Sequence, residues 1–310
     1  MWQLKFGVNP QGELIMIDEV NSGKTNLVCP FCARPLTAKK GKIKQHHFAH
    51  RVETCLLVRK GKLPSLPLYD NFHLQLKPKH FQLLKQLWRE YGNTDYAIIT
   101  VPFELEMKKL FRWTPQGYYF TDLGKIPVGG LSLSGFNAIQ EPLILSSLNR
   151  LTNSVEMTKA IGGALLEEKL ADLKIYRWQI QRILRFTLYF LEIKADGKTL
   201  QKIGVTSRKI GLRLSEIERD LRKHFSNIDI NVLGRWQHRG NVELYFKHRY
   251  KRFNYRIGKL TEYYRFKDVD TVLEDLCSMQ QKILKDEELE IWLDKTKVTT
   301  IDAHFSIHPY

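Results

Sequence analysis

Three of the four cysteines lie near the N-terminus in a pattern typical of a metal site. Cys29 and Cys32 flank Pro-Phe, and two thiolates at this spacing on a tight turn form half of a tetrahedral zinc site. We expect the other half from Cys55 and a histidine of the HHFAH string before it, which is His50 or alternatively His47. His47 could instead donate a hydrogen bond to a ligand. Because protein can fill all four positions, the pattern predicts structural zinc.

A second set of residues, Tyr189, Lys202, Arg213 and Glu243, could hydrolyse phosphodiester bonds with one metal ion. The Glu243 carboxylate would hold Mg²⁺ or Mn²⁺, which polarises the phosphate and stabilises the leaving oxygen. Arg213 would offset the charge of the pentavalent phosphate. A phenol or an amine near the metal can deprotonate the attacking water, so the general base is open between Tyr189 and Lys202.

The segment around these four residues predicts the order strand, strand, helix, strand, helix. The first strand is rich in β-forming residues and ends at Asp196-Gly197, a hairpin-turn signal, and the helices have apolar residues at three- and four-residue spacing. The predicted elements are strands 186–194 and 202–206, a helix from 210 to 225, strand 228–236 and a helix over 242–253. The tyrosine and the lysine would then share the hairpin, with the arginine and the glutamate on the two helices.

Outside this segment, the patterns predict an N-terminal hairpin, a mixed α/β middle region and a C-terminal helix. The hairpin strands are 2–8 and 14–20 around Asn9-Pro10-Gln11-Gly12, and a strongly basic loop, 37–44, joins the halves of the zinc site. The middle elements are a helix over 73–91, a strand over 95–101, a hairpin over 110–121 and helical residues 143–173 broken near Gly162-Gly163. The C-terminal helix is 269–294, with Cys277 buried. The middle region has no catalytic constellation, and its role stays open.

The charge of the 310-residue chain favours a polyanionic partner. The net charge is +16, and residues 181–267 alone hold 21 Lys and Arg against 8 Asp and Glu. Such a surface attracts phosphates in a salt-dependent way. The residues predicted to contact DNA are Lys39, Lys40, Lys42, Lys44, Arg249 and Arg252. The lack of an apolar run of 18 residues argues against a membrane span, and the few clustered cysteines favour a reducing cytosol. We also expect no signal peptide, because the basic-then-apolar order is missing at the N-terminus.

The N-terminal segment resembles one known family. A hairpin, the CPFC string, a basic loop, His47-Phe48-Ala49-His50 and Cys55 follow one another within about the first 60 residues. This order is similar to the N-terminal zinc module of CoiA-like competence proteins, whose hallmark is HFAH after CxxC. The resemblance implies a protein that handles DNA inside a bacterial cell.

The segment 181–267 resembles the GIY-YIG nuclease superfamily, in the phage and helicase-associated branch whose second motif reads KIG. LYF at 188–190 stands where GIY does, and Lys202-Ile203-Gly204 stands where YIG does. The resemblance implies that Tyr189, Arg213 and Glu243 are catalytic, with Glu243 binding the metal. Arg208 follows the second motif and would be an auxiliary residue.

Two features depart from that family's pattern, and a third resembles it. Lys202 replaces the second tyrosine, which is why the general base stays open. The family often has a histidine four residues after the glutamate, where this chain has Lys247, and His248 one position later is a possible auxiliary residue. Thr261-Glu262-Tyr263-Tyr264 resembles the closing Glu-aromatic motif.

The sequence therefore predicts an α+β multidomain fold in four consecutive parts: a zinc module (1–62), a mixed α/β middle (63–180), a GIY-YIG-like domain (181–267) and an acidic C-terminal helix and tail (268–310). The predicted function is a cytoplasmic endonuclease that cuts DNA with Mg²⁺ or Mn²⁺ and contains structural Zn²⁺. One alternative is a DNA-binding or DNA-processing factor with an inactive nuclease domain, and another is an RNA-processing nuclease.

Overall fold

The computed structural model describes residues 4–41, 46–55, 64–162 and 165–294 of the chain. Over these residues the fold is mixed α/β with three antiparallel sheets. The chain divides into two compact units. Unit 1 comprises Met1–Leu66, Leu145–Arg182 and Lys285–Tyr310, and unit 2 comprises Pro67–Ile144 and Ile183–Leu284. The units are thus assembled from separate stretches of chain, whereas the sequence predicts four consecutive parts.

Unit 1 contains a five-stranded antiparallel sheet. Its strands are β1 (Phe6–Val8), β2 (Leu14–Met16), β3 (Gly23–Val28), β4 (Pro35–Lys39) and β5 (His47–His50), in the order β2-β1-β3-β4-β5. The predicted N-terminal hairpin is confirmed, since Val8 lies opposite Leu14. The side chain of Asn9 closes the turn by accepting the Glu13 backbone N–H at 2.8 Å. A bridge between Leu4 and Phe48 joins β5 back to the chain before β1, so the sheet curls on itself.

Two predictions for this sheet are corrected. Residues 17–19 form a turn of 3₁₀ helix and do not extend the second strand, because Glu19 folds back to accept the Met16 backbone N–H at 3.0 Å. The predicted basic loop begins later than residue 37, since Thr37 and Lys39 are paired with β5. Lys42 and Lys44 of that loop lie outside the described residues.

Two long helices, α4 (Leu133–Ile161) and α5 (Leu166–Arg185), occupy the second half of the predicted middle region, and the last residues of α5 extend beyond it. The predicted break near Gly162 is confirmed, and Gly162 has φ 68°, a left-handed conformation that favours glycine. The first of these helices begins ten residues before the predicted start, because Pro142 is accommodated inside it. Ala171, Ile175 and Trp178 of α5 pack against the core of the N-terminal sheet.

The part of unit 2 that precedes α4 consists of short elements. It contains α1 (Pro78–Tyr91), α2 (Phe103–Met107), the hairpin β6 (Phe111–Thr114) and β7 (Gly117–Phe120), and α3 (Asp122–Lys125). The hairpin is confirmed. The helix expected from residue 73 begins at Pro78, because proline suits the first helical position, where no N–H is needed. The strand expected over 95–101 does not form: only Ile98 pairs, with Tyr118.

The large sheet of unit 2 has the order β10-β8-β9-β12-β11. Its elements and the helices between them are β8 (Thr187–Ala195), β9 (Lys198–Thr206), α6 (Ile210–Leu221), β10 (Ile228–Trp236), α7 (Val242–Arg249), β11 (Asn254–Ile257) and β12 (Leu260–Tyr264). The predicted order of the first five is confirmed, and Asp196 and Gly197 turn the hairpin with φ 46° and 77°. The last helix ends at Arg249, four residues early, and the β11–β12 hairpin is not anticipated by the sequence patterns.

This sheet is covered on both faces, which explains why β8 is apolar and buried from Leu188 to Leu191. On one face Leu188 and Phe190 pack against Val242 and Phe246 of α7. On the other face Tyr189, Leu191 and Ile193 pack against the inner side of α6, including Ile217 and Leu221. Alternate residues of a strand point to opposite faces, so even-numbered residues of β8 contribute to one core and odd-numbered residues to the other.

The C-terminal prediction is corrected. The expected single helix is two helices, α8 (Asp270–Cys277) and α9 (Asp286–Leu293), which belong to unit 2 and unit 1 respectively. Gln280 has φ 53°, a left-handed conformation that cannot continue a helix. Cys277 is exposed, whereas the periodicity of one long helix predicts that it is buried. The last twelve residues lie outside the described part of the chain.

Candidate metal centre and polar cluster

The four predicted zinc ligands are brought together at one end of the N-terminal sheet. Cys29 follows β3 directly and starts a tight turn, in which its carbonyl accepts the Ala33 N–H and its own N–H bonds to the Arg34 carbonyl, both at 2.9 Å. The backbone of Phe31 donates to the Cys29 sulfur, and that of Arg34 donates to the sulfur of Cys32. Such N–H groups aimed at sulfur stabilise thiolates, which are the form that binds metal.

The donor atoms of Cys29, Cys32, His50 and Cys55 all lie within 4.8 Å of one another. The sulfurs of Cys29 and Cys55 are 4.0 Å apart, and the Cys32 sulfur is 3.3 Å from Nε2 of His50. Tetrahedral zinc with Zn–S bonds of about 2.3 Å separates two sulfurs by about 3.8 Å. The donor set and its spacing therefore fit one zinc ion, which these four side chains would hold without any open position.

The choice between the two histidines follows from the strand. His50 and His47 are three residues apart on β5, so they point to opposite faces of the sheet. His50 is buried on the same face as Phe48, and its ring faces the cysteines. His50 is thus the fourth donor, and His47 is not part of the group.

The thiols themselves indicate that a cation belongs here. The neighbouring thiols of Cys32 and Cys55, together with burial, raise the pKa of Cys29 well above its ordinary value. Three thiolates this close together would repel one another without a positive charge among them. A zinc ion provides that charge, so the fold of this end of the sheet is expected to depend on metal.

Unit 2 carries a second arrangement, which we call the polar cluster: Tyr189, Lys202, Arg213, Glu243, Lys247 and Glu262. Tyr189 on β8 lies directly opposite Gly204 on β9. A Cβ atom at Gly204 would lie 2.3 Å from the Tyr189 hydroxyl oxygen, so only glycine leaves room for this phenol. Nε of Arg213, on the first turn of α6, donates to the same oxygen at 3.2 Å. The tyrosine is therefore held between the sheet and the helix.

The other side of the cluster is a chain of alternating charges. Lys202 is only 4% exposed, and its ammonium contacts the Glu262 carboxylate at 2.9 Å and lies over the Tyr263 ring at 4.7 Å. The ammonium of Lys247 contacts Glu262 at 2.7 Å and Glu243 at 3.0 Å. Two strands and one helix thus meet at two carboxylates and two lysines.

The surroundings alter the acidity of these groups in different directions. Burial lowers the pKa of Lys202, although Glu262 acts in the opposite sense. Burial raises the pKa of Tyr189, and the hydrogen bond from Arg213 offsets only part of that increase. Of the two candidate bases, the lysine is therefore the one whose pKa moves toward neutrality.

Two partners of this chain of charges keep their ordinary ionised forms firmly. Burial alone would raise the pKa of Glu262, but the ammonium groups of Lys202 and Lys247 outweigh it and lower the pKa to about 2. Burial would lower the pKa of Lys247, but Glu243 and Glu262 outweigh it and raise the pKa. Near neutral pH, the Lys247–Glu262 pair is thus ionised.

The structure brings all four predicted catalytic residues into this cluster or into direct contact with it. The importance of Lys247 was not predicted, yet Glu243 and Lys247 are four residues apart, a spacing that pairs opposite charges on one helix face. Glu216 was also missed. It accepts hydrogen bonds from Arg213 at 2.9 Å and from both ends of the Arg208 guanidinium at 2.8 and 3.0 Å. The three-residue step from Arg213 to Glu216 is the signal that could have revealed it.

His248, predicted as an auxiliary residue, has partners outside the polar cluster. The His248 ring stacks on Phe72 at 5.0 Å, and its Nε2 is 3.0 Å from the carbonyl oxygens of Ile126 and Pro127, so it takes part in packing. None of the contacts described for the chain joins it to the polar cluster.

Arg249 is anchored within the protein. Its Nε donates to Asp275 at 2.8 Å and its Nη1 donates to the Gly129 carbonyl at 2.9 Å, and its role as a DNA contact stays a prediction. Arg252 is exposed, with its guanidinium over the Phe253 ring at 4.7 Å, as a DNA-contacting residue requires.

Of the basic residues predicted in unit 1, Lys39 is exposed. Lys40 is anchored, because its ammonium bonds to the carbonyl oxygens of Asp18 and Val20 at 3.3 and 2.8 Å. Lys42 and Lys44 lie outside the described residues.

Residues 15–57 match the family model of the N-terminal domain of competence protein CoiA. This match includes all four candidate metal ligands, and together with the Cys₃His group it fits a CoiA-like zinc module. No curated protein and no solved structure matches the chain. No helix in the described residues is long and apolar enough to cross a membrane.

Proposed function

We propose that the chain is a metal-dependent endonuclease that hydrolyses phosphodiester bonds of DNA at the polar cluster of unit 2. In this proposal the domain is GIY-YIG-like, the site uses one Mg²⁺ or Mn²⁺, and the CoiA-like zinc module is a structural part of a DNA-handling protein. The family match at residues 15–57 supports a competence-related setting, and the basic surface supports a nucleic-acid substrate.

One observation carries the proposal. Tyr189, Lys202, Arg213 and Glu243 are spread over 55 positions of sequence, yet they fall into two neighbouring sets of contacts on the strands and helices of unit 2. Tyr189 contacts Arg213, and Lys202 is connected to Glu243 through Glu262 and Lys247. The two sets lie within electrostatic reach of each other, because, besides burial, Glu243 and Glu262 both help to raise the pKa of Tyr189. Each of these residues alone has a simple structural explanation. A tyrosine, a buried lysine, an arginine and a carboxylate on neighbouring elements are the groups that phosphodiester hydrolysis needs.

Each of three residues of the cluster would have its own role in the reaction. Arg213 is held in place by Glu216 and offsets the negative charge that develops on the phosphate. Glu243 would hold the divalent ion, a hard cation suited to carboxylate oxygens, whose chemistry is to polarise the phosphate. Lys202 is the better candidate for accepting a proton from water, because burial lowers its pKa while that of Tyr189 is raised.

A second function is favoured by a specific contact. The Lys247 ammonium occupies the position between the Glu243 and Glu262 carboxylates, where it neutralises the oxygens a metal would use. If this ion pair persists in solution, the domain would bind DNA without cutting it. The chain would then be a DNA-binding or DNA-processing factor.

Incubation of purified protein with supercoiled plasmid and Mg²⁺ or Mn²⁺ distinguishes the endonuclease from the inactive DNA-binding factor. We expect cutting by the natural protein, loss of cutting in Glu243→Ala and in EDTA, and full cutting by Glu274→Ala, which removes an exposed glutamate of α8 outside the cluster. Cutting by Glu243→Ala at the natural rate would overturn the assignment of the site. No cutting by any protein, with salt-sensitive DNA binding retained, would favour the binding factor, and cleavage of structured RNA alone would favour an RNA-processing nuclease.

A further inference from the structure

A cavity of about 590 Å³ opens in unit 2 where β8 begins and where β9 and β10 end. We call it the basic pocket. Its lining residues include cationic or ionisable side chains and neutral hydroxyls: Arg208, Arg235, His238, Lys282, Thr187 and Thr206. Among the described residues that line it, none is acidic, and the one aromatic ring is the imidazole of His238. The pocket is therefore suited to an anion, and it offers no Phe, Tyr or Trp ring on which a base could stack.

The strand register places the pocket next to the polar cluster. Tyr189 is paired with Gly204 on one side and with Arg235 on the other. Thr187, two residues before Tyr189, is paired with Thr206. Alternate residues share a face, and two residues of strand span about 7 Å, which equals about two base steps of 3.4 Å along a nucleic-acid strand. A strand bound at the tyrosine would thus reach the pocket within one or two nucleotides.

One carboxylate links the pocket and the cluster. Glu216 binds Arg208, at the pocket, through two hydrogen bonds and Arg213, in the cluster, through a third. A single carboxylate facing two guanidinium groups leaves positive charge on both sides of it. The same residue therefore orients the arginine of the pocket and the arginine of the cluster.

On the Lys282 side of the pocket, a second carboxylate is also shared between two cations. Glu141 contacts Lys282 at 3.0 Å and Nη1 of the buried Arg239 at 2.6 Å, so again two cations share one carboxylate. Arg235 is exposed at the pocket, and its carbonyl accepts a hydrogen bond from Gln281 at 3.4 Å. Nδ1 of His238 is 2.5 Å from the Leu184 carbonyl, which fixes the ring.

We propose that the basic pocket binds the backbone phosphates of a single nucleic-acid strand beside the phosphate that is attacked at the polar cluster. Guanidinium groups and hydroxyls are the donors that fit phosphate oxygens, and the absence of lining carboxylates avoids repulsion. The one lining ring, that of His238, is tied to the Leu184 carbonyl, and no Phe, Tyr or Trp side chain lines the described pocket. The pocket would therefore recognise the backbone and be indifferent to the base. The position of the attacked phosphate rests on the proposed function, whereas the binding of phosphates does not.

The test measures binding without cleavage. Fluorescence anisotropy of a labelled oligothymidylate, in buffer without added Mg²⁺ or Mn²⁺, is recorded against salt for the natural protein, Arg235→Ala and Lys194→Ala. Lys194 is exposed at the opposite end of β8, so its variant removes the same charge far from the pocket. We expect Arg235→Ala to weaken binding about tenfold and to reduce the salt slope by about 0.7, with Arg235→Lys restoring the slope. Lys194→Ala should bind like the natural protein.

Equal losses in Arg235→Ala and Lys194→Ala would overturn the proposal, because attraction would then be spread over the surface. Thymidine monophosphate that binds as tightly as the oligomer, and depends on Arg235, would assign the pocket to free nucleotides and also overturn it. Gln237→Glu, which puts a carboxylate at an exposed lining position, gives a second variant should Arg235→Ala not fold. Plasmid cutting with binding that is independent of Arg235 would refute the pocket alone, and Arg235-dependent binding without cutting would refute the nuclease alone.

Discussion

The pairing of Glu262 with two lysines makes a quantitative prediction about stability and pH. In the folded protein the pKa of Glu262 is lowered from 4.5 to about 2, mainly by Lys202 and Lys247 acting against burial. A shift of that size corresponds to about 3 kcal/mol at 1.36 kcal/mol per unit. The Glu262 side chain is 40% exposed, so solvent screening reduces the contribution to about 1–2 kcal/mol.

The direction of the pH dependence follows from the lowered pKa. The ionised carboxylate contributes its full stabilisation above about pH 4.5, and this contribution is lost as the pH falls toward 2. We expect Glu262→Gln to lower the free energy of unfolding by about 1–2 kcal/mol at pH 7, and to be nearly neutral at pH 2.5. Lys202 adds to the loss at neutral pH, because it would stay buried without its carboxylate.

The measurement is urea unfolding of the natural protein and Glu262→Gln at several pH values, followed by the fluorescence of the tryptophans. Glu274→Gln, on the exposed side of α8, serves as the matched control and should show no pH-dependent difference. The reasoning would be refuted if the difference between the natural protein and Glu262→Gln were the same at pH 7 and at pH 2.5.

Two further predictions concern the metal centre and the glycine beside the tyrosine. We expect about one zinc ion per natural chain by elemental analysis, and Cys29→Ser should lose this zinc and melt at a lower temperature in unit 1. Cys277→Ser, at an exposed cysteine, should keep both the zinc and the melting temperature. Zinc retained in Cys29→Ser would contradict the assignment. Gly204→Ala should destabilise the protein by about 1–3 kcal/mol and abolish plasmid cutting, because the new methyl group would lie 2.3 Å from the tyrosine hydroxyl. Gly211→Ala, with no atom within 4 Å of the added carbon, should leave thermal stability and cutting unchanged, and a stable, active Gly204→Ala would show that the close approach is unimportant.

The elements that sequence patterns predicted well are those whose signals are local. The hairpin of β8 and β9 was predicted from β-forming residues around Asp196-Gly197, whose left-handed φ values suit this turn. The break after α4 was predicted from Gly162 for the same reason. The Cys₃His group was predicted because zinc ligands come in short spacings that are visible in the sequence.

The elements that were predicted wrongly depend on contacts with distant residues. Residues 95–101 have the composition of a strand, but only Ile98 finds a backbone partner. The long helix expected at the C-terminus is divided at Gln280, and its halves belong to different compact units. Periodicity shows that a face is apolar, but it does not show which partner covers that face.

For the candidate sites, the sequence by itself determined the types of residue and the chemistry they can offer. It specified three cysteines with a choice of two histidines, and a tyrosine, a lysine, an arginine and a glutamate in a basic segment. These follow from spacing along one element and from composition, which need no knowledge of other elements.

Only the tertiary structure decided which of these side chains meet, and with what partners. The face of β5 selected His50, the register of β8 and β9 placed Gly204 against Tyr189, and the approach of β12 to α7 put Lys247 between two carboxylates. The physical reason is that pairing across strands and packing of a helix on a sheet join residues far apart in the chain. The acidity of the buried Lys202 and the shape of the basic pocket depend on those distant neighbours.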